Sequence, residues 1–117
     1  MRSSIALAAA MAALLSVPAV AAPDGKNRKV VVENLSSQSI YNLYASPVTA
    51  TNWEEDLLGD GTIPSGSSKV ANIDNGTAEC YYDLKAVMAD KREHIQRRIN
   101  VCAANKWVIG ESGNSLQ

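Results

Sequence analysis

The two cysteines, Cys80 and Cys102, are the only ones in the chain, and they constrain its fold more than any other residues. In an exported protein of this size two cysteines usually form a disulfide. Closing a loop of about 23 residues would stabilise the fold by roughly 3 kcal/mol in the chain-entropy model. A redox-active pair would have Cys-x-x-Cys spacing, and a zinc site would need more ligands than the single histidine adds. We therefore expect a structural disulfide.

The stretch between the cysteines alternates polar and apolar side chains, as a half-buried β-strand does. Over residues 80–88 one face is mostly apolar, whereas Asp83 and Lys85 fall on the other face. Residues 95–101 alternate in a similar way, and the charged segment 90–93 separates the two. The pattern predicts a hairpin with the disulfide across its open end.

The remaining β-prone segments are short and are separated by turns. Residues 30–35 and 40–45 predict a first hairpin, because both are rich in β-branched, aromatic or aliphatic residues and a polar turn joins them. Residues 53–59 predict a tight loop or a single helical turn whose Trp53 and two leucines pack inward. Short strands are also expected at 62–63, 69–73 and 107–109. These features indicate an all-β fold: a small antiparallel β-sandwich of six to seven short strands with one disulfide.

Residues 1–21 have the layout of a cleavable signal peptide: a positive Arg2, an apolar stretch of about 13 residues, and a small-residue site ending at Ala21. The apolar stretch is shorter than the ~20 residues of a permanent membrane-spanning helix. We therefore expect export, cleavage near Ala21, a periplasmic or secreted mature protein, and no permanent membrane anchor. The expected organisation is a signal peptide at 1–21, a flexible leader at 22–29, the sandwich domain at 30–110 and a polar tail at 111–117.

The charge balance of the mature chain bears on its partners. Arg2 is the only one of the 11 basic residues that the signal peptide contains, so 10 basic and 12 acidic residues remain, a formal charge of −2. Nonspecific binding to nucleic acid needs a clear excess of Lys and Arg. We expect no nucleic-acid partner.

Three motif-bearing segments cover much of the mature chain. They are Asn34-x-Ser36 leading into Ile40-Tyr41-Asn42-Leu43-Tyr44-x-Ser46-Pro47, then Trp53-x-x-Asp56-Leu57-Leu58-Gly59, and then Cys80-x-Tyr82-Asp83-Leu84-Lys85-Ala86. Together they resemble an uncharacterised family of small exported bacterial β-sandwich proteins of unknown function. The resemblance implies a compact sandwich and no particular activity or substrate. Glu54 stands where the family has a glycine, and 90–93 replaces an Asp-Gly turn.

Four carboxylates lie within seven residues in the loop after Trp53: Glu54, Glu55, Asp56 and Asp60. Calcium takes about six to eight oxygen ligands and tolerates irregular loops, so these residues are a candidate calcium site. The Asp-x-Asp-x-Asn-Gly calcium pattern is missing. Two alternatives are a solvated acidic rim and a local role for Asp56, as an N-terminal cap or as a partner for backbone amides of its loop.

Basic and aromatic side chains are the candidates for ligand binding. The second hairpin concentrates positive charge, and strand alternation predicts Arg97 and Arg98 on opposite faces. A solvated face is the alternative for these cations, and core packing is the alternative for the rings. The cations are Lys85, Lys91, Arg92, Arg97 and Arg98, and the rings are Trp53 with an outward row of Tyr41, Tyr44 and Tyr81.

The sequence contains no clear catalytic or cofactor motif. His94, the only histidine, is expected at an exposed strand end without a nucleophile to activate. We expect a noncatalytic exported binding or interaction module, whose partner is an envelope or extracellular protein or a glycan. The alternatives are a small periplasmic hydrolase with a dispersed site and a calcium-stabilised structural protein. A deep polar pocket would favour the hydrolase, and an exposed aromatic patch would favour the binder.

Overall fold

In the computed structural model, which describes residues 24–74, 76–103 and 106–117, the chain forms seven β-strands and, within these residues, no helix. The predicted all-β fold is confirmed. The predicted signal peptide at 1–21 lies outside the described residues. Within the described part of the chain, no helix is long and apolar enough to cross a membrane. The strands are β1 (Lys29–Asn34), β2 (Ile40–Pro47), β3 (Ser68–Asn72), β4 (Tyr81–Met88), β5 (Glu93–Asn100), β6 (Lys106–Ile109) and β7 (Asn114–Leu116).

The strands form two sheets, one in the order β3-β1-β6-β7 and one in the order β2-β4-β5. β1 and β6 pair in parallel, which departs from the predicted purely antiparallel arrangement. The predicted hairpin of the first two strands is wrong, because β1 and β2 belong to different sheets. The Asn34 side chain stabilises the connection between β1 and β2: its Nδ2 donates to the carbonyls of Gln38 (2.7 Å) and Ile63 (3.0 Å).

An apolar core lies between the sheets, and alternate residues of the strands supply it. In β4 the burial pattern alternates along the whole strand, as the sequence predicts. Each large apolar side chain buried there stabilises the fold by roughly 1.5–3 kcal/mol. The largest buried apolar side chains include Ile40, Leu43, Tyr82, Leu84, Met88, Ile99, Trp107 and Ile109.

The predicted second hairpin, formed by β4 and β5, is confirmed, and so is the disulfide across its open end. Cys80 and Cys102 are bonded, with their Cα atoms 5.4 Å apart. At the closed end, the Lys91 N–H donates to the carbonyl of Met88, and the Met88 N–H donates to the carbonyl of Arg92, both at 2.9 Å. Lys91 has a φ of 75°, as the last residue of this three-residue turn requires.

A β-bulge in β5 changes which of its side chains face the core. At Arg97 and Arg98, two residues of β5 stand opposite one residue of β4. The extra residue shifts the alternation by one position, so that both His94 and Ile99 are buried, whereas Ile95 is exposed. The expectation of an exposed His94 is therefore wrong, because it assumed an unbroken strand.

Both segments that flank the predicted domain contact the sandwich. Arg28, in the predicted leader, is only 1% exposed. Its guanidinium donates to the Asp24 carboxylate at 2.7 and 3.0 Å and to the Glu79 carbonyl at 2.7 Å. At the other end β7 lies in the predicted polar tail and pairs with β6. The sandwich thus extends beyond 30–110 at both ends. The sequence does not indicate this extension, because neither a buried arginine nor a polar strand shows a hydrophobic pattern.

Candidate functional site

The outer face of the three-stranded sheet carries the side chains that alternate with the core residues. On β4 these include Tyr81, Asp83 and Lys85, each of which precedes a buried residue. Tyr44 of β2 pairs with Lys85 and lies on the same face. Alternation in two neighbouring strands therefore places aromatic and charged side chains side by side on a face that the core does not cover.

The Trp53 ring packs on this outer face. Its centroid lies 6.5 Å from that of Tyr44, and the Lys85 ammonium lies 4.9 Å from the Trp53 centroid and 5.1 Å from the Tyr44 centroid. Such cation–π contacts contribute about 0.5–2 kcal/mol, more as the cation loses water. The prediction that Trp53 packs inward is wrong, whereas that for the two leucines is confirmed: Leu58 lies in the core and Leu57, partly buried, packs against it.

Arg97 and Arg98 both interact on the outer face, which corrects the prediction that they lie on opposite faces. The Asp83 carboxylate accepts the backbone N–H of Arg98 (2.8 Å) and Nη1 of Arg97 (3.2 Å). The Arg97 Cζ lies 5.6 Å from the Trp53 centroid, and the Arg98 Cζ lies 5.3 Å from that of Tyr81. The bulge brings both arginine side chains to this face. Arg98 has a φ of 54° there, and this left-handed conformation costs about 1–3 kcal/mol for a residue other than glycine.

These contacts form one continuous surface, which we call the cation–aromatic face. The residues of its β4 row, from Tyr81 to Lys85, extend over about 13 Å at roughly 3.3 Å per residue. Asp83 and Glu93 offset part of its positive charge, since the Glu93 carboxylate lies 4.0 Å from the Lys85 ammonium. The face consists of Tyr44, Trp53, Tyr81, Lys85, Arg97 and Arg98.

A small polar cleft of about 170 Å³ opens beside Trp53, with Arg97 and Asp83 on its other side. Ser46 fixes the loop that forms its wall: its Oγ accepts the N–H of Glu54 (2.9 Å) and donates to the carbonyl of Asn52 (3.2 Å). The volume is below the roughly 300–1,000 Å³ of pockets for drug-sized ligands. The cleft therefore suits one small polar group at a time.

Of the candidate ligand-binding residues, the structure brings together Tyr44, Trp53, Tyr81, Lys85, Arg97 and Arg98. Tyr41 is 51% exposed but lies at a separate bulge near the start of β2. The importance of Asp83 was not predicted, because a single acidic residue on the polar face of a strand gives no sign that it stabilises a bulge in the next strand.

Asp56, one of the predicted calcium ligands, is a partner for backbone amides. Its Oδ1 accepts the N–H groups of Leu43 (2.9 Å) and Leu58 (3.0 Å), and its Oδ2 accepts the Asn42 side chain (2.8 Å). Burial raises the pKa of the Asp56 carboxyl, but these hydrogen bonds outweigh the effect and leave the pKa below its ordinary value. The sequence-based alternative of a local role for Asp56 is confirmed.

Glu54 and Glu55 line a second and larger cleft of about 690 Å³, between Ala45 of β2 and Asn72 of β3. Across residues 24–74, 76–103 and 106–117, no three Asp, Glu, His or Cys side chains form a group that could hold a metal ion. Calcium binding by Glu54, Glu55, Asp56 and Asp60 stays a prediction.

Fold and site together define a two-sheet β-sandwich with a cation–aromatic face on its three-stranded sheet. Comparisons with protein-family models, curated proteins and solved structures give no match to this chain. The family resemblance of its motifs stays a prediction.

Proposed function

We propose that this chain is an exported, noncatalytic binding module and that the cation–aromatic face is its ligand-binding surface. The observation that carries the proposal is the set of three aromatic rings on the outer face of the three-stranded sheet, exposed Tyr81 and half-buried Tyr44 and Trp53, each in contact with a basic side chain. Aromatic rings and arginines are the side chains that most often dominate binding energies. Because this face does not contribute to the core, we infer that these side chains serve ligand binding and not the stability of the fold.

The strained bulge at Arg98 supports the same proposal. Non-glycine residues in the left-handed region are uncommon and cluster at functional sites, where the surrounding structure holds the strain. Here hydrogen bonds to the Asp83 carboxylate stabilise the strained backbone, and Arg97 and Arg98 point to the same side of the sheet. A regular strand would separate them.

Binding without catalysis fits the placement of the reactive groups better than hydrolysis does. His94 is buried on the inner side of its sheet, whereas the polar cleft beside Trp53 opens on the outer side. Both cysteines are in the disulfide. His94 therefore cannot act as a general base on a substrate bound in the cleft beside Trp53.

Export is supported by two independent features of the chain. Residues 1–21 have the signal-peptide layout, and a disulfide is stable in the oxidising compartments that exported proteins reach. Protein recovered from the periplasm or the medium should begin at Ala22 and contain no free thiol. Intact Met1 in that fraction, or two titratable thiols, would contradict export by this route.

The binding proposal is tested by retention of the processed, disulfide-bonded protein on immobilised envelope material. Arg97→Gln and Arg92→Gln form a matched pair, because each arginine is exposed on the same hairpin and pairs with one nearby carboxylate. Only Arg97 belongs to the cation–aromatic face. We expect Arg97→Gln and Trp53→Ala to lose retention and Arg92→Gln to keep it. Equal retention of all four proteins would refute the proposed binding surface.

A further inference from the structure

Resting on the proposed function, we propose that the ligand is a linear acidic oligosaccharide whose carboxylates pair with Arg97 and Arg98. Both arginines lie on β5 opposite Asp83, and both are exposed. A chain of uronic acids presents carboxylates at regular intervals, so it can pair one carboxylate with each arginine. A single uronic acid has only one carboxylate to offer.

The arginine of the cleft is well placed for a carboxylate. A guanidinium has five N–H donors, and the Arg97 side chain is 66% exposed, with its Nη1 in contact with Asp83. Its remaining donors can form the two parallel hydrogen bonds that a carboxylate accepts from arginine. Arg98 supplies a second exposed charge nearby, with its Cζ 5.3 Å from the Tyr81 ring centroid.

The lining of the cleft favours a sugar over an acidic protein. The Trp53 ring is half-buried and borders the cleft. The rest of the lining is polar apart from Ala50, and it includes Ser46, Thr51 and Asn52. Protein partners usually insert an apolar or aromatic anchor into a desolvated pocket, and a small hydroxyl- and amide-lined cleft does not suit one.

The test is calorimetric titration of the processed protein with three probes: α-1,4-linked tetragalacturonic acid, its fully methyl-esterified form, and monomeric galacturonic acid. The ester has the same rings without the charges, and the monomer has the charge without the length. We expect the acid tetramer to bind at least about tenfold more tightly than either, because charge-assisted hydrogen bonds to arginine are strong. Added salt should weaken its binding.

Two variants distinguish a specific contact between Arg97 and the carboxylates from general electrostatic attraction of the acid tetramer to the protein. Arg97→Gln should weaken binding of the acid tetramer by about tenfold or more and should leave binding of the ester unchanged within about twofold. Arg92→Gln, the matched control, should change neither. The inference is overturned if the acid and the ester bind equally, if the acid tetramer does not bind, or if Arg92→Gln weakens its binding as much as Arg97→Gln does.

The retention experiment tests the binding surface, and the calorimetric titration tests the ligand, so the two proposals can fail separately. Retention on envelope material that depends on Arg97, together with no binding of the acid tetramer, would leave the proposed surface in place and would point to a protein partner. Retention that does not depend on Arg97 or Trp53 would remove the surface itself. Each result therefore decides one of the two proposals.

Discussion

Replacement of Asp83 by alanine should destabilise the protein by about 2–3 kcal/mol, because one carboxylate holds the β5 bulge in place. Its hydrogen bond from the Arg98 N–H is 2.8 Å long, and a hydrogen bond to a charged group contributes about 1.5–3 kcal/mol. The ion pair with the exposed Arg97 adds only about 0.2–1 kcal/mol. The backbone hydrogen bond is thus the larger contribution.

Asp83→Asn distinguishes these two contributions, since the asparagine keeps an oxygen that can accept the Arg98 N–H but loses the charge that attracts Arg97. We expect it to lose about 1–2 kcal/mol, because the hydrogen bond from Arg98 then has a neutral acceptor and the ion pair with Arg97 is lost. Glu93→Ala is the control: Glu93 is an exposed carboxylate on the same face, 4.0 Å from Lys85. It should lose less than about 0.5 kcal/mol.

The assay is urea unfolding of the oxidised protein, followed by the fluorescence of its two tryptophans, with the free energy of unfolding obtained by linear extrapolation. The expected order of stability is wild type, Glu93→Ala, Asp83→Asn and then Asp83→Ala. The reasoning is refuted if Asp83→Ala lies within about 0.5 kcal/mol of wild type, or if Asp83→Asn loses as much as Asp83→Ala.

Three further predictions concern stability. Cys80→Ala combined with Cys102→Ala should lower the free energy of unfolding by about 3 kcal/mol, given the sequence separation of 22; a loss below about 1 kcal/mol in urea unfolding would contradict this. Lys91→Gly should raise the melting temperature by several degrees, because glycine adopts the φ of 75° without strain; a lower melting temperature would contradict it. Burial, and secondarily the nearby Arg92, lower the pKa of His94 from 6.5 against the opposing charge of Asp90. The unfolded chain therefore binds a proton near pH 6.5 that the folded protein does not bind until lower pH, so stability should fall as the pH drops through 6.5. His94→Gln should remove that part of the pH dependence of urea unfolding, and an unchanged slope in the variant would contradict it.

The parts of the fold that depend on local sequence could be predicted, and those that depend on distant partners could not. Alternation identified β4, and a short charged segment between two alternating ones identified its hairpin with β5. The same signal could not indicate that β1 would pair with β3 and β6, since strands far apart in the chain choose partners by the packing of whole sheets. The disulfide was predictable because only one pairing of two cysteines exists.

The candidate site was predictable in composition but not in arrangement. Trp53, Tyr44, Arg97 and Arg98 are visible as aromatic and basic residues, yet their convergence depends on the bulge in β5. Bulges of this kind often carry a glycine in the left-handed position, and here that position is an arginine. Without a glycine, the sequence gives no reason to interrupt the alternation, and Arg97 and Arg98 are assigned to opposite faces.

The most direct test of the proposed binding surface uses the two tryptophan side chains as paired reporters. Trp53 lies on the cation–aromatic face, whereas Trp107 is fully buried and its indole N–H donates to Asn114 at 2.9 Å. In the ¹H–¹⁵N spectrum of the processed protein, added envelope extract should shift or broaden the Trp53 indole signal and leave that of Trp107 in place. In Arg97→Gln protein the extract should leave both signals unchanged. An unaltered Trp53 signal in wild-type protein that the extract demonstrably binds would contradict the proposed surface.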